Sequence, residues 1–277
     1  MGFWRIAYKL SLVILMLIIG FITVLITSLL RGMRIIHSQH IQMLVKIWYQ
    51  IFLKCIDLKV HIKIYTEADE NNKTNTAEIN SKGSVVVANH VSWMDIIVLG
   101  SVLPTHFLSK AEVRNWPLIG WMAHQIGTLF IQRGGGGDVD LLKKQMLHYV
   151  NTQQNILFFP EGKTGKGDKL MAFRPRLFSI AVDSWANIQP MSIKYGNQKS
   201  AHPVIPYQLN QNTFNNLLSV MAYGQIDIYV NFGQLIKSNN KTRDQLATNA
   251  QNQIAHLLEF TAEQVHQRFQ RKAQSTD

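Results

Sequence analysis

Ser84-Val85-Val86-Val87-Ala88-Asn89-His90-Val91-Ser92-Trp93-Met94-Asp95 runs from a short strand into the start of a helix, and its reading decides the fold. Five small or β-branched residues with no charge suit a strand buried on both faces, as in a parallel sheet covered by helices. The helical stretch that follows, 95–103, is the length of a crossover element. Outward from this pair the alternation continues. Strands are predicted at 84–88, 106–108, 128–132, 155–159, 189–195 and 225–232. Helices are predicted at 95–103, 138–152, 176–186, 213–221 and 242–271. Strands alternating with helices predict an α/β fold: a largely parallel central sheet flanked by helices. This α/β domain is placed at 63–277. Within it, 66–83 is polar with no apolar period and reads as an exposed loop, and 242–277 reads as a C-terminal helix docked on the body.

Ahead of the domain, residues 1–62 read as a helical membrane-binding segment. Residues 10–30 carry no charge, and Lys9 and Arg31 close the two ends. About 20 apolar residues suffice to cross a bilayer core of roughly 30 Å. A cleaved signal has an apolar run of only about 7–15 residues ending in small residues, whereas this one exits into Ser28-Leu29-Leu30-Arg31. A retained anchor is therefore expected. Both flanks are basic, so the positive-inside rule sets no orientation. Over 40–62, apolar Ile41, Leu44, Val45, Trp48, Ile51, Phe52 and Cys55 recur at three and four, with Lys46, Gln50 and Lys54 between. That period predicts an amphipathic helix, either at the membrane interface or packed on the domain behind it.

Composition narrows the chemistry. The 277 residues are 47% hydrophobic and 16% charged, with a formal net charge of +11. A disordered chain would be poorer in apolar residues. One cysteine, Cys55, excludes an internal disulfide and a zinc finger. The positive balance calls for a polyanionic partner: nucleic acid, a lipid headgroup surface or a phosphorylated substrate. Residues 1–60 hold seven Lys/Arg and one acid, Asp57. Basic charge gathered beside an apolar run favours anionic lipid over nucleic acid, and no nucleic-acid partner is expected.

Several motifs fail on inspection. Gly162-Lys163-Thr164 lacks the upstream glycine of a phosphate-binding loop, where Leu157 stands, and Pro160-Glu161 occupy the would-be cradle. The run 134–137 does not complete a dinucleotide fingerprint, because Val139 takes the third glycine's place. There is no Gly-x-Ser-x-Gly or His-Glu-x-x-His. The remaining histidines are scattered, so no metal site is expected.

His90 and Asp95 are the strongest pair. Five residues apart on a regular helix they would point about 140° away from each other. They meet only if a turn separates them, and the strand-to-helix junction supplies one. A carboxylate on one imidazole nitrogen fixes the tautomer and leaves the other to take a proton from a hydroxyl. Ser92-x-x-Asp95 also reads as a helix capping box.

Three further constellations follow in order: Gly127-x-x-Phe130-x-x-Arg133, Phe159-Pro160-Glu161-Gly162, and Gln189-Pro190-Met191. With Asn89-His90-x-x-x-x-Asp95 they make four ordered motifs. In these motifs the chain resembles the glycerolipid acyltransferase family, the group that includes 1-acylglycerol-3-phosphate acyltransferases, over most of 84–235. The resemblance implies a membrane-bound enzyme that moves a fatty acyl group from acyl-CoA or acyl-carrier protein to the free hydroxyl of a lysophospholipid. The first expected acceptor is 1-acylglycerol-3-phosphate, giving phosphatidic acid. It implies His90 as general base and Asp95 as its orienting partner. It also implies Asn89, Arg133, Glu161, Gly162, Lys163 and Pro190 around the substrates, with Arg133 on an anionic headgroup. No cofactor beyond the acyl donor is implied. The site would face the cytoplasm from the cell membrane, the inner one in a bacterium. One departure stands out. The family's Thr-Arg after Phe-Pro-Glu-Gly is Lys163-Thr164 here, with Lys166, Lys169, Arg174 and Arg176 following. A lyso-aminolipid such as lyso-ornithine lipid fits that change as an alternative acceptor. A non-catalytic lipid-binding or transport protein is the alternative of another class.

Overall fold

The computed structural model describes residues 2–65, 82–132, 138–197 and 200–266. Seven strands form one sheet in the order β1-β7-β6-β2-β5-β3-β4. They are β1 Leu58–Ile64, β2 Val85–Ala88, β3 His106–Lys110, β4 Leu129–Ile131, β5 Ile156–Phe158, β6 Ile188–Tyr195 and β7 Ile226–Phe232. Every neighbouring pair is parallel except β6 and β7. The expected largely parallel sheet flanked by helices is what forms.

β2 lies at the centre, with Val85–Val87 beside Ile156–Phe158 of β5 and Val85–Ala88 beside Ile188–Met191 of β6. Its side chains alternate between two cores, as the period of two requires. Val86 and Ala88 face one core with Leu157, Met191 and Ile193, closed by α2 Ser38–Cys55, α3 Met94–Val102 and α8 Thr213–Tyr223. Val85 and Val87 face the other with Ile156, Phe158 and Ile188, closed by α6 Asp138–Asn151, α7 Ser179–Ser184 and α9 Arg243–Leu257. Two short helices, α4 Ala111–Arg114 and α5 Ile119–Gln125, join β3 to β4. Gly100 in α3 permits close packing of α2, since a Cβ there would lie 2.5 Å from the Tyr49 ring.

The amino-terminal helix α1 covers Gly2–Gly32. It is long and apolar enough to cross a membrane. One face packs on the body through Val13, Met16 and Val24. The opposite face exposes Trp4, Tyr8, Leu15, Ile18, Ile22, Leu25 and Leu29. The charges that close the apolar run are tied down at both ends. Lys9 is buried, its Nζ donating to Ile56 O and Met221 O and lying 2.9 Å from an Asp57 carboxylate oxygen. Arg31 donates to Gln125 O at 3.0 Å.

Three expectations are revised. The helix predicted over 40–62 ends at Cys55, and Leu58–Ile64 is an edge strand, so the sheet begins before the expected boundary at 63. Asp57 makes the break. Its φ of 60° is left-handed, and its carboxylate takes Lys9 and Arg5. Beyond it Leu58-Lys59-Val60-His61-Ile62-Lys63-Ile64 alternates apolar with basic, the period of a strand. The final helix stops at Leu257, because Glu259 turns left-handed and Thr261 caps a separate short 3₁₀ turn. The helix expected over 176–186 is split between a 3₁₀ turn at Pro175–Phe178 and α7. Most of the predicted 66–83 loop, at 66–81, lies outside the described residues, as does 267–277.

Candidate active site

The site forms where β2 ends, between the end of β5 on one side and β6 on the other. In open α/β sheets ligands bind outside the carboxyl ends of the strands. His90 and Asp95 meet across the turn that joins β2 to α3, with Nδ1 2.7 Å from Oδ2. Asp95 is fully buried, and Oδ2 also accepts the main-chain N–H groups of Val91 at 2.6 Å and Ser92 at 3.0 Å. The expected Ser92–Asp95 capping box is only half made: the carboxylate takes Ser92 N–H, but the Ser92 hydroxyl accepts Met94 N–H and the helix starts from Trp93 without a side-chain cap. The Asp95 oxygens accept only, so His90 donates from Nδ1, and in the neutral ring Nε2 is then the acceptor. Among the described residues no protein group pairs with Nε2. The imidazole lies flat on Phe159, ring centres 3.9 Å apart and planes 8° from parallel, with 16% of the side chain exposed. The arrangement is that of a base held by an acid partner and presented to a hydroxyl.

The turn after β5 clamps the His90 backbone. Glu161 Oε1 accepts His90 N–H at 2.7 Å, and Oε2 accepts Met171 N–H at 3.0 Å. Gly165 N–H donates to His90 O at 2.7 Å. Both Glu161 oxygens are committed to main chain, so Glu161 positions His90. Burial raises its pKa to about 7; the two N–H bonds act the other way, and the Asp95 charge adds to the rise. Gly162 closes the turn at φ 74°, where a Cβ would stand 3.0 Å from the Arg174 guanidinium. Arg174 thus reaches back over Gly162 from 12 residues on, with its main-chain N–H on Pro160 O.

The other expected residues are distributed as follows. Asn89 is buried, and its amide is matched to one residue of β6, donating to Ile193 O and accepting from Ile193 N–H. It ties β2 to β6. Pro190 lies buried in β6 beside Val87 of β2, and its carbonyl accepts Gly233 N–H. Lys163, Lys166, Lys169, Arg174 and Arg176 are exposed. Arg133 lies outside the described residues. Sequence reasoning missed one partner of the dyad, Tyr195. Tyr195 donates its hydroxyl to Asp95 Oδ1 at 2.6 Å, and Phe159 stacks on His90. Tyr195 has no local signal, since it sits 100 positions from its partner, whereas Phe159 heads one of the four motifs. Among the described residues no cluster of His, Cys, Asp and Glu is arranged to hold a metal ion.

Comparison with known proteins follows the same residues. The family model described as Acyltransferase matches residues 63–194. The chain is 37% identical over 176 residues to a lyso-ornithine lipid O-acyltransferase of Pseudomonas aeruginosa, covering 64% of this chain and 68% of that one. It is 31% identical over 150 residues to a 1-acyl-sn-glycerol-3-phosphate acyltransferase of Neisseria gonorrhoeae, of which it spans 59%. The crystal structure of the 1-acyl-sn-glycerophosphate (LPA) acyltransferase PlsC from Thermotoga maritima superposes with a TM-score of 0.66 at 16% identity. It covers 93% of this chain and 95% of that one. At that identity the likeness is one of fold.

Proposed function

The chain belongs to the acyltransferase family, and from that footing we propose that it esterifies the hydroxyl of a membrane lysolipid, with His90 as general base and a thioester as acyl donor. The observation that carries this reading is the 2.7 Å His90–Asp95 pair at the carboxyl end of β2 with Nε2 left open. Nε2 takes the proton of the acceptor hydroxyl as its oxygen attacks the thioester carbonyl. The C–S bond breaks, the ester forms, and the imidazolium returns its proton to the departing thiolate. Asp95 stabilises the imidazolium in between. No acyl-enzyme is required. The donor is acyl-CoA or acyl-carrier protein; the exposed cations of 163–176 suit the phosphates of one and the acidic surface of the other.

For the acceptor we favour an ornithine-type lyso-aminolipid. The relative at 37% identity acts on lyso-ornithine lipid by name, and so do three further relatives, from Brucella abortus, Rhizobium meliloti and Rhodobacter capsulatus. An ornithine head offers a carboxylate to Arg174 and requires no tight phosphate grip. The second reading, 1-acylglycerol-3-phosphate, is favoured by the Neisseria relative and by the same Arg174 as a phosphate partner. The outer apolar face of α1 and the basic charge around it suit attachment to an anionic membrane surface. As part of the same proposal, the catalytic domain would face the cytoplasm.

Thiol release by the purified full chain, with one acyl-CoA and one acyl-carrier protein against both acceptors, tests the reading. Faster release with lyso-ornithine lipid is expected. Release with 1-acylglycerol-3-phosphate alone selects the second reading. Lipid binding with no release from either donor would leave a non-catalytic lipid carrier.

A further inference from the structure

The surroundings of Asp95 extend beyond its own loop. Oδ2 is filled locally by His90 Nδ1, Val91 N–H and Ser92 N–H. Oδ1 takes a single side-chain donor, the Tyr195 hydroxyl at 2.6 Å. That distance falls within the about 2.5–2.7 Å of a charge-assisted O–H bond to a carboxylate. Both residues are closed to solvent, Asp95 at 0% and Tyr195 at 5% exposure. Tyr195 ends β6, the strand that also holds the Asn89 amide two residues earlier at Ile193. β6 therefore grips the catalytic turn twice, once at its start and once at its carboxylate.

We propose that Tyr195 is a positioning residue for acyl transfer: its hydroxyl fixes the rotation of the Asp95 carboxylate and moderates the pull of that carboxylate on His90. Without the hydroxyl, Oδ1 has no donor among the described residues, and only the three bonds at Oδ2 are left to set the rotation of the carboxylate. Its negative charge is then less shared and holds the His90 proton more tightly. Burial first, and then the Asp95 charge, keep the Tyr195 hydroxyl protonated well above the ordinary tyrosine range, so it remains a donor at working pH. The titratable groups facing the pair are Asp95 from α3, Glu161 from the turn after β5 and Tyr195 from β6. Phe159, the other close contact, is neutral. Glu161 is retained in every variant below, so differences between them isolate the hydroxyl.

The test is Tyr195→Phe in the full chain in detergent micelles, read in two ways. The kinetic arm rests on the acyl-transfer reading. There kcat falls about 10- to 100-fold while KM for donor and acceptor stays within about twofold. Adding Tyr195→Phe to Asp95→Asn lowers kcat by no more than about twofold further, because the hydroxyl acts through the carboxylate. The second arm needs no substrate. With ¹³C-labelled histidine, and the His90 signal identified by its loss in His90→Gln, the His90 titration moves up by about half a pH unit or more in Tyr195→Phe. Replacing Tyr195 by 3,5-difluorotyrosine, a stronger donor of the same shape, moves it down. This second variant answers the question if the phenylalanine variant does not fold. An unmoved His90 titration, or losses that multiply in the double variant, overturns the proposal. A wrong acceptor would silence thiol release in the wild type while leaving the titration shift intact. Failure of the proposed reaction and failure of this proposal are thereby distinct.

Discussion

Two loops meet at the carboxyl end of the sheet, and they are built on opposite terms. In the β2–α3 turn the polar groups answer one another. Asn89 is matched to Ile193, Asp95 takes four donors, and the His90 backbone is held at both N–H and C=O. In the stretch after β5, Lys163, Lys166, Lys169, Arg174 and Arg176 stand exposed, and among the described residues none of them meets a carboxylate. The first loop is preorganised for the one proton transfer proposed above, where a displacement of an ångström would be costly. The second carries exposed side-chain charge on an anchored backbone, a form that would suit headgroups and donors that differ in shape.

That contrast is easiest to break at its strong end. His90→Ala should lower kcat by about 10²–10⁴-fold, the worth of a positioned base, with an unchanged melting temperature. Near-normal turnover in the purified variant would remove the chemistry from this turn altogether. Asn89→Ala should destabilise the fold by about 1–3 kcal/mol, since it leaves the Ile193 N–H and C=O without their buried partners. Chemical denaturation measures this, and a loss confined to KM would mean that Asn89 touches substrate instead.

Glu161 joins the two loops and has a pH signature. Its pKa rises from 4.5 to about 7, so the folded chain binds this proton more tightly than the unfolded one. The contribution to stability is full below about pH 4.5 and is lost as the pH climbs to about 7. Glu161→Gln does not titrate, and its melting temperature should fall less steeply over that window than the wild type's. Equal slopes would show that Glu161 is not shifted. The weak end comes last. Arg174→Ala should raise KM for the acceptor about two- to fivefold with kcat little changed, the scale of an exposed charge contact. Lys166→Ala should change it less than twofold. If the two effects are alike, the guanidinium over Gly162 has no special place among these cations.

What the sequence revealed follows the range of each interaction. The Ser84–Asp95 stretch was legible because strand, turn and dyad are neighbours, and the turn alone decides whether His90 and Asp95 meet. The parallel sheet was legible because its two central strands, β2 and β5, are buried on both faces and apolar throughout. β1 was missed because apolar residues at three and four run up to Ile56, and the break at Asp57 depends on Lys9 and Arg5 from a distant helix rather than on a local glycine. The end of α9 is set similarly by a left-handed Glu259 that no breaker residue announces. Tyr195 was invisible because its role exists only after β6 pairs with β2. Within the loop cations, Lys163 was the nearest in sequence to the missing arginine, yet Arg174 is the one whose side chain returns to Gly162.

The two tethers of α1 have a mechanical consequence. Lys9 at one end and Arg31 at the other hold the helix against the body over its length. A leash would let the body wander above whatever the helix is embedded in; a strut clamped at both ends sets an elevation. The distance from the outward row of Trp4, Ile18 and Leu29 to the His90 ring is then a dimension of the rigid body. Under the proposed reaction the acceptor hydroxyl would have to rise from the lipid to that level, and how far each headgroup lifts it would become a ruler for which lysolipids react.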